Sequence, residues 1–115
     1  MKLTEVQERY PAYNETLVRE NLRKELHRDT SKIIVLDDDP TGVQTVHDTY
    51  VYTDCSRESV RGGLNDKRKL FYILTNSRSF DVETTVQLHR EIANNVLAES
   101  TGEMILISRS DSTLR

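Results

Sequence analysis

Short apolar runs alternate along this chain with polar stretches, and this alternation predicts a series of strands and helices. Three runs, at residues 32–36, 70–74 and 104–107, consist almost entirely of β-branched, aliphatic or aromatic residues. Runs of this length without polar interruption are typical of strands that are buried on both faces. A fourth strand is predicted at residues 49–53, where Tyr50, Val51 and Tyr52 stand between two threonines.

The segments between the strands have helical features. After the third strand, Asp81 has the side chain of an N-cap, and the following helix carries three apolar residues on one face: Leu88, Ile92 and Val96. The polar segment 54–69 predicts a shorter helix. Its adjacent glycines, Gly62 and Gly63, predict a break in that helix after one or two turns.

Residues 1–30 predict a helical N-terminal extension, distinct from the domain that begins at residue 31. Val18, Leu22 and Leu26 recur every four residues in a strongly charged segment. A single narrow apolar stripe of this kind usually docks on a neighbouring element. We therefore expect the helix to cover part of the sheet surface.

The order of elements predicts an α/β fold, with a mostly parallel, Rossmann-like sheet and helices on both faces. The 115 residues amount to one domain at most. We expect its last strand to leave an open edge and an exposed apolar face.

The amino-acid composition indicates which partners and which cellular compartment to expect. A net charge of −3 gives no reason to expect nucleic acid or an anionic membrane as partner. No apolar run approaches the roughly 18 residues of a membrane span, and no targeting segment is recognisable. Cys55 is the only cysteine, which excludes an internal disulfide and favours a reduced, cytoplasmic setting.

Each of the three apolar strands is followed by a polar cluster: DDDPTG from residue 37, TNSR from residue 75 and SRSDSTLR from residue 108. In a parallel α/β sheet the carboxyl ends of the strands lie at one edge, and ligands bind in the crevice outside that edge. The three clusters should therefore converge, although they are distant in sequence.

The side chains in these clusters suit a small polyhydroxylated acid. Arginines have the planar fork that binds a carboxylate or phosphate, and the candidates are Arg78, Arg109 and Arg115. Carboxylates can accept hydrogen bonds from hydroxyls or take a proton, and the candidates are Asp38, Asp39 and Asp111. Close backbone approach and small donors are expected from Gly42, Ser77, Ser112 and Thr113.

Four other reactive residues have a simpler interpretation. His27 and His89 lie in helices among polar neighbours and are interpreted as solvated. His47 follows the aspartate cluster, but a structural role is favoured because no second metal ligand is evident. Cys55 is interpreted as a small, half-buried residue, since no base or helix start is evident beside it.

The three clusters and their strands resemble the motifs of a known family. IIVLDDDPTGVQTVHD (residues 33–48), LFYILTNSRSF (70–80) and LISRSDSTLR (106–115) are similar, in this order, to three motifs of the four-carbon acid sugar kinases. The resemblance implies phosphorylation of a tetronate such as threonate, erythronate or a 3-oxo-tetronate, with ATP and Mg²⁺. It also implies that an N-terminal α/β domain holds the sugar acid and a C-terminal domain holds the nucleotide.

The resemblance further implies which residues bind the substrate. The arginines would hold its carboxylate and the aspartates its hydroxyls, with Asp38 or Asp39 as the base. The implied substrate-binding residues are Asp38, Asp39, Thr41, Gly42, Arg78, Arg109, Ser110, Asp111 and Ser112.

Two departures from the family pattern shape the expectations for this chain. Family members continue beyond the position of Arg115, so the resemblance implies that residues 31–115 are the start of an incomplete N-terminal domain. No Gly-rich phosphate cradle is recognisable, and ATP and Mg²⁺ are not expected to bind to these 115 residues alone. We expect the isolated chain to be inactive and to need a separate nucleotide-binding chain or self-association. The helical extension at residues 1–30 is not explained by the resemblance.

Two alternatives remain open from the sequence. Asp37, Asp39 and Thr41 fit the DxDxT pattern of haloacid-dehalogenase-like phosphatases, in which the first aspartate is the nucleophile. That scheme leaves the TNSR and SRSDSTLR clusters without a role. The other alternative is a fragment that binds a sugar acid or a partner without catalysis.

Overall fold

A computed structural model describes residues 13–41 and 46–110, together with the isolated positions Thr4 and Arg9. Three helices and four strands lie in the described ranges, with a short 3₁₀ helix, Ser77–Ser79, after the third strand. The elements are α1 Glu15–Arg28, β1 Lys32–Asp37, β2 Tyr50–Tyr52, α2 Arg57–Asn65, β3 Leu70–Leu74, α3 Val82–Glu99 and β4 Met104–Arg109.

The four strands form one parallel sheet in the order β2-β3-β1-β4. β1 lies between β3 and β4, and the last residue of β1, Asp37, is level with Leu74 on one side and Arg109 on the other. The predicted α/β class and the parallel sheet are confirmed. This register places the carboxyl ends of three strands at one edge.

The hydrophobic core lies between one face of the sheet and the helices α2 and α3. Alternate strand residues contribute the sheet side, and three helical residues complete the cluster: Ile34, Leu36, Phe71 and Ile73 with Val60, Ile92 and Val96. The predicted cap of α3 is confirmed, because Oδ1 of Asp81 accepts a hydrogen bond from the Thr84 amide at 2.7 Å.

The predicted break at the glycines of α2 is wrong. Gly62 and Gly63 both lie inside the helix, which continues to Asn65. A Cβ atom at Gly63 would lie 2.6 Å from ring atoms of Phe71 in β3. Helix and strand therefore approach closely at Gly63, and packing rather than a turn accounts for the small residue.

The second face of the sheet is covered only in part. Val35 and Tyr72, at its centre, are buried, but Ile105 and Ile107 of β4 are 47% and 44% exposed. Leu106, which is aligned with the core residue Ile34, is 50% exposed as well, so both faces of the edge strand β4 are only partly covered. The expected exposed apolar face is present at β4.

Helix α1 does not bury its apolar stripe. None of its residues is buried, and Val18, Leu22 and Leu26 are each more than half exposed. The prediction that this stripe covers the sheet is therefore wrong for the described structure. The helix is held at its C-terminal end instead, where Lys69 Nζ donates to the carbonyl of Asp29 at 2.7 Å and to its carboxylate at 2.6 Å. Among the described helices, none has the length and apolarity needed to cross a bilayer.

Candidate functional site

The segments that follow β1, β3 and β4 are joined by hydrogen bonds at the carboxyl edge of the sheet. Thr75 donates to the carbonyl of Asp37 twice, from its amide at 2.8 Å and from its hydroxyl at 3.0 Å. The Asp38 amide donates to the carbonyl of Arg109 at 3.3 Å. The predicted convergence of the three clusters is thus confirmed for their described residues.

Asp37 and Arg109 form an ion pair across the ends of β1 and β4. Nη1 of Arg109 lies 3.1 Å from Oδ2 of Asp37, and Oδ1 of Asp37 accepts the Asp39 amide at 3.3 Å. Asp37 is only 1% exposed, whereas the Arg109 side chain is 48% exposed. A buried carboxylate requires such a partner, because an unpaired buried charge is strongly destabilising.

A second ion pair links the first and second clusters. Nη1 of Arg78 donates to Oδ2 of Asp39, while Oδ1 of Asp39 accepts the Thr41 amide at 2.8 Å. Hydrogen bonds from Thr41, and secondarily the charge and hydrogen bond of Arg78, lower the pKa of Asp39. A carboxylate with a lowered pKa is a weak base, so this site favours Asp39 as a hydrogen-bond acceptor.

A cavity of about 210 Å³ lies where the ends of the three strands meet the first half of α3. Drug-sized ligands occupy pockets of roughly 300–1,000 Å³, so this cavity suits a smaller molecule. Its walls combine donors and acceptors with one apolar side chain. The lining residues are Leu36, Asp38, Thr75, Ser77, Thr85, His89, Ser108, Arg109 and Ser110.

The predicted site residues divide into three groups. Four of them line the cavity: Asp38, Ser77, Arg109 and Ser110. Asp39 and Arg78 form the ion pair beside it, and Thr41 is exposed. The third group lies outside the described residues: Gly42, Asp111, Ser112, Thr113 and Arg115.

His89, which was interpreted as a solvated residue, is only partly exposed. It is half-buried, lines the cavity, and its Nδ1 lies 2.8 Å from the carbonyl oxygen of Thr85. Thr85 was not among the predicted site residues, and Thr75 was included only as part of the TNSR cluster. The available signal was position, because the first turns of a helix that follows a strand begin near the carboxyl edge of the sheet.

The other reactive residues lie away from this cavity. His47 is exposed and its Nδ1 lies 3.0 Å from Oδ2 of Asp48. Cys55 is half-buried as predicted, and burial is the main cause that raises the pKa of its thiol. A raised pKa reduces the thiolate fraction and does not favour a nucleophile.

The arrangement does not favour the phosphatase alternative. A nucleophilic carboxylate must reach a phosphorus atom, but Asp37 is buried and its oxygens bind Arg109 and the Asp39 amide. Within residues 13–41 and 46–110, no group of three or more His, Cys, Asp or Glu side chains is placed to hold a metal ion. The use of ATP and Mg²⁺ stays a prediction.

A parallel α/β sheet with aspartates, arginines and hydroxyls around a small cavity at its carboxyl edge defines a binding domain for a small polar ligand. The chain belongs to the family of sugar-binding N-terminal domains, whose model matches residues 33–115. This match confirms the resemblance to the N-terminal domain of the four-carbon acid sugar kinases. No curated protein and no solved structure matches the chain.

Proposed function

We propose that this chain provides the substrate-binding part of an ATP-dependent kinase that phosphorylates a four-carbon acid sugar such as threonate, erythronate or a 3-oxo-tetronate. The observation that carries the proposal is the convergence of Asp38, Arg109 and Ser110 on one cavity of about 210 Å³. The sugar-binding family of residues 33–115 supports a sugar ligand.

The chemistry of the cavity supports an acid among the sugars. A sugar carboxylate needs cationic donors, and Arg109 keeps other guanidinium N–H groups besides the one that binds Asp37. Sugar hydroxyls need acceptors, and Asp38 provides a carboxylate in the same cavity. Ser77 and Ser110 are small groups that can donate or accept.

The kinase activity rests on the resemblance of the three motifs. ATP would supply the phosphoryl group in the complete enzyme, bound by residues other than those described. In this proposal the enzyme acts in the cytoplasm, and the nucleotide-binding part comes from a further domain, a separate chain or an assembly of copies.

Calorimetric titration of the chain with D-threonate, L-threonate, D-erythronate and a 3-oxo-tetronate tests the proposal, with Mg²⁺-beryllofluoride as the ligand of the rival phosphatase. We expect one of the acids to bind, and Arg78→Ala to weaken that binding by about tenfold, because the motif resemblance assigns Arg78, which lies beside the cavity, to the substrate carboxylate. Arg28→Ala is the matched control, because Arg28 is an exposed arginine of α1 that pairs with Glu25 and does not line the cavity.

Two outcomes would contradict the proposal. Beryllofluoride binding that is lost in Asp37→Asn, without binding of any acid, would favour the phosphatase. Absence of binding by every acid, with circular dichroism showing a folded chain, would remove the tetronate assignment.

A further inference from the structure

His89 has one ring nitrogen committed and one available for a ligand. Its Nδ1 lies 2.8 Å from the main-chain oxygen of Thr85, four residues earlier in α3. A carbonyl oxygen can only accept, so Nδ1 carries the proton of this hydrogen bond. In the neutral imidazole Nε2 is then an acceptor with a free lone pair.

The surroundings of His89 leave Nε2 open. Among the described residues, Nε2 has no hydrogen-bond partner, and no buried side-chain nitrogen or oxygen lacks one. Nε2 is therefore accessible, although the residue as a whole is half-buried. His89 lines the cavity, and the other charged or titratable groups there are Asp38, after β1, and Arg109, in β4.

Acceptors and donors in the cavity are thus contributed by different elements. Asp38 and His89 Nε2 can accept from hydroxyls, whereas Arg109 donates. The Thr85 carbonyl fixes the tautomer of His89 before any ligand arrives, so the acceptor is preorganised.

From this geometry we propose that His89 is a ligand-binding residue of the site, whose Nε2 accepts a hydrogen bond from one hydroxyl of the bound four-carbon acid. The inference rests on the proposed function. It makes His89 a determinant of specificity, because an acid that lacks this hydroxyl leaves the acceptor without a partner.

The test combines NMR with calorimetry on the whole chain. Imidazole ¹⁵N shifts, assigned by comparison with His89→Phe, are expected to show the Nδ1–H tautomer and a change at Nε2 on addition of D-threonate or whichever of the four acids binds. His89→Phe is expected to lower the affinity for that acid by about tenfold. His27→Phe is the matched control, because His27 is an exposed histidine of α1, and it should leave affinity unchanged.

A comparison with deoxy acids separates hydroxyl recognition from a structural role. Of 2,3-, 2,4- and 3,4-dihydroxybutanoate, which lack the C4, C3 and C2 hydroxyl respectively, one should bind the wild type about tenfold more weakly than the parent acid and lose little more in His89→Phe. His89→Gln, which keeps an amide near the position of Nε2, is expected to recover part of the affinity and protects the test against a misfolded His89→Phe.

The outcomes distinguish the two proposals. In one outcome a four-carbon acid binds without a change in the Nε2 shift, and His89→Phe lowers the affinity for all acids equally. That result would overturn the role of His89 and leave the proposed function standing. If His89 is doubly protonated at neutral pH, the acceptor role is overturned. If none of the four acids binds to the folded wild type, both proposals fail.

Discussion

Nη1 of Arg109 lies 3.1 Å from Oδ2 of Asp37, so the last residue of β4 neutralises the last residue of β1. The two residues are aligned partners in the parallel ladder. The contact joins the ends of β1 and β4 at the carboxyl edge of the sheet, where the candidate site lies. Arg109 therefore has a structural role in addition to the ligand contact that we propose for it.

Removal of this arginine should destabilise the fold. Arg109→Ala leaves the buried carboxylate of Asp37 without its charged partner, and we expect the free energy of unfolding to fall by about 1–3 kcal/mol. Urea unfolding at neutral pH measures the change. Arg23→Ala, at an exposed position of α1, is the control and should change stability by less than about 0.5 kcal/mol.

The double variant tests the pairing itself. Asp37→Asn removes the charge that Arg109 neutralises, so the loss in Asp37→Asn/Arg109→Ala should be smaller than the sum of the two single losses. Strict additivity would show that the two side chains do not interact in solution.

A methyl group at Gly63 should be poorly tolerated. The new Cβ would lie 2.6 Å from the Phe71 ring, and overpacking of a core typically costs about 1–3 kcal/mol. This loss should exceed the gain in helix propensity, which is about 1 kcal/mol for Gly→Ala. Thermal unfolding of Gly63→Ala and Gly102→Ala makes the comparison, because a Cβ at Gly102 meets no atom within 4 Å. Equal melting temperatures would contradict the close approach of α2 and β3.

The residues of α3 that face the core should contribute more to stability than the exposed residues of the same helix. Ile92 is 1% exposed, and Ile92→Ala should cost about 2–5 kcal/mol through lost burial and a residual cavity. Leu97→Ala, in the same helix at a position that is 71% exposed, should be close to neutral. Chemical unfolding of both variants checks this, and a similar loss in each would place the helix in a different orientation.

Glu99 should make stability depend on pH in the acid range. Its carboxylate lies 2.7 Å from Arg61 Nε and 2.7 Å from Arg57 Nη2. Hydrogen bonds from Arg61 and Arg57 lower the pKa of Glu99 from 4.5 to about 2. Because the folded state has the lower pKa, the stabilisation is present above pH 4.5 and is lost as the pH falls towards 2.

A comparison of the wild type with Glu99→Gln measures this dependence. The difference in unfolding free energy between them should be largest at pH 6 and should shrink between about pH 4.5 and pH 2. Glu20→Gln, at an exposed position of α1, is the control. A difference that does not change with pH would show that Glu99 has no lowered pKa.

The parallel sheet and the convergence of its strand ends could be predicted because both depend on local pattern. Unbroken apolar runs specify buried strands, and parallel strands place their polar ends together. The cap at Asp81 was equally local, since it depends on one side chain and the next three residues.

Features that depend on packing could not be read in the same way. A glycine signals a turn or a close contact, and only the Phe71 ring beside Gly63 decides between them. The rotation of α3 about its axis is set by Ile92 and Val96 in the core, and that rotation carries His89 to the cavity. The pairing of Arg109 with Asp37 could not be predicted either, because the two residues are 72 positions apart in sequence and meet only in the folded sheet.

The location of the sugar-acid site is the central claim, and backbone amide NMR tests it most directly. Titration of the ¹⁵N-labelled chain with D-threonate, or with whichever of the four acids binds, should shift the amides of Asp38, Ser77, Arg109 and Ser110, which line the cavity at the carboxyl edge. The amides of α1 should not respond. Shifts confined to the separate cavity beside Thr53, Asp54 and Cys55, or no saturable shift with any of the acids, would contradict the account.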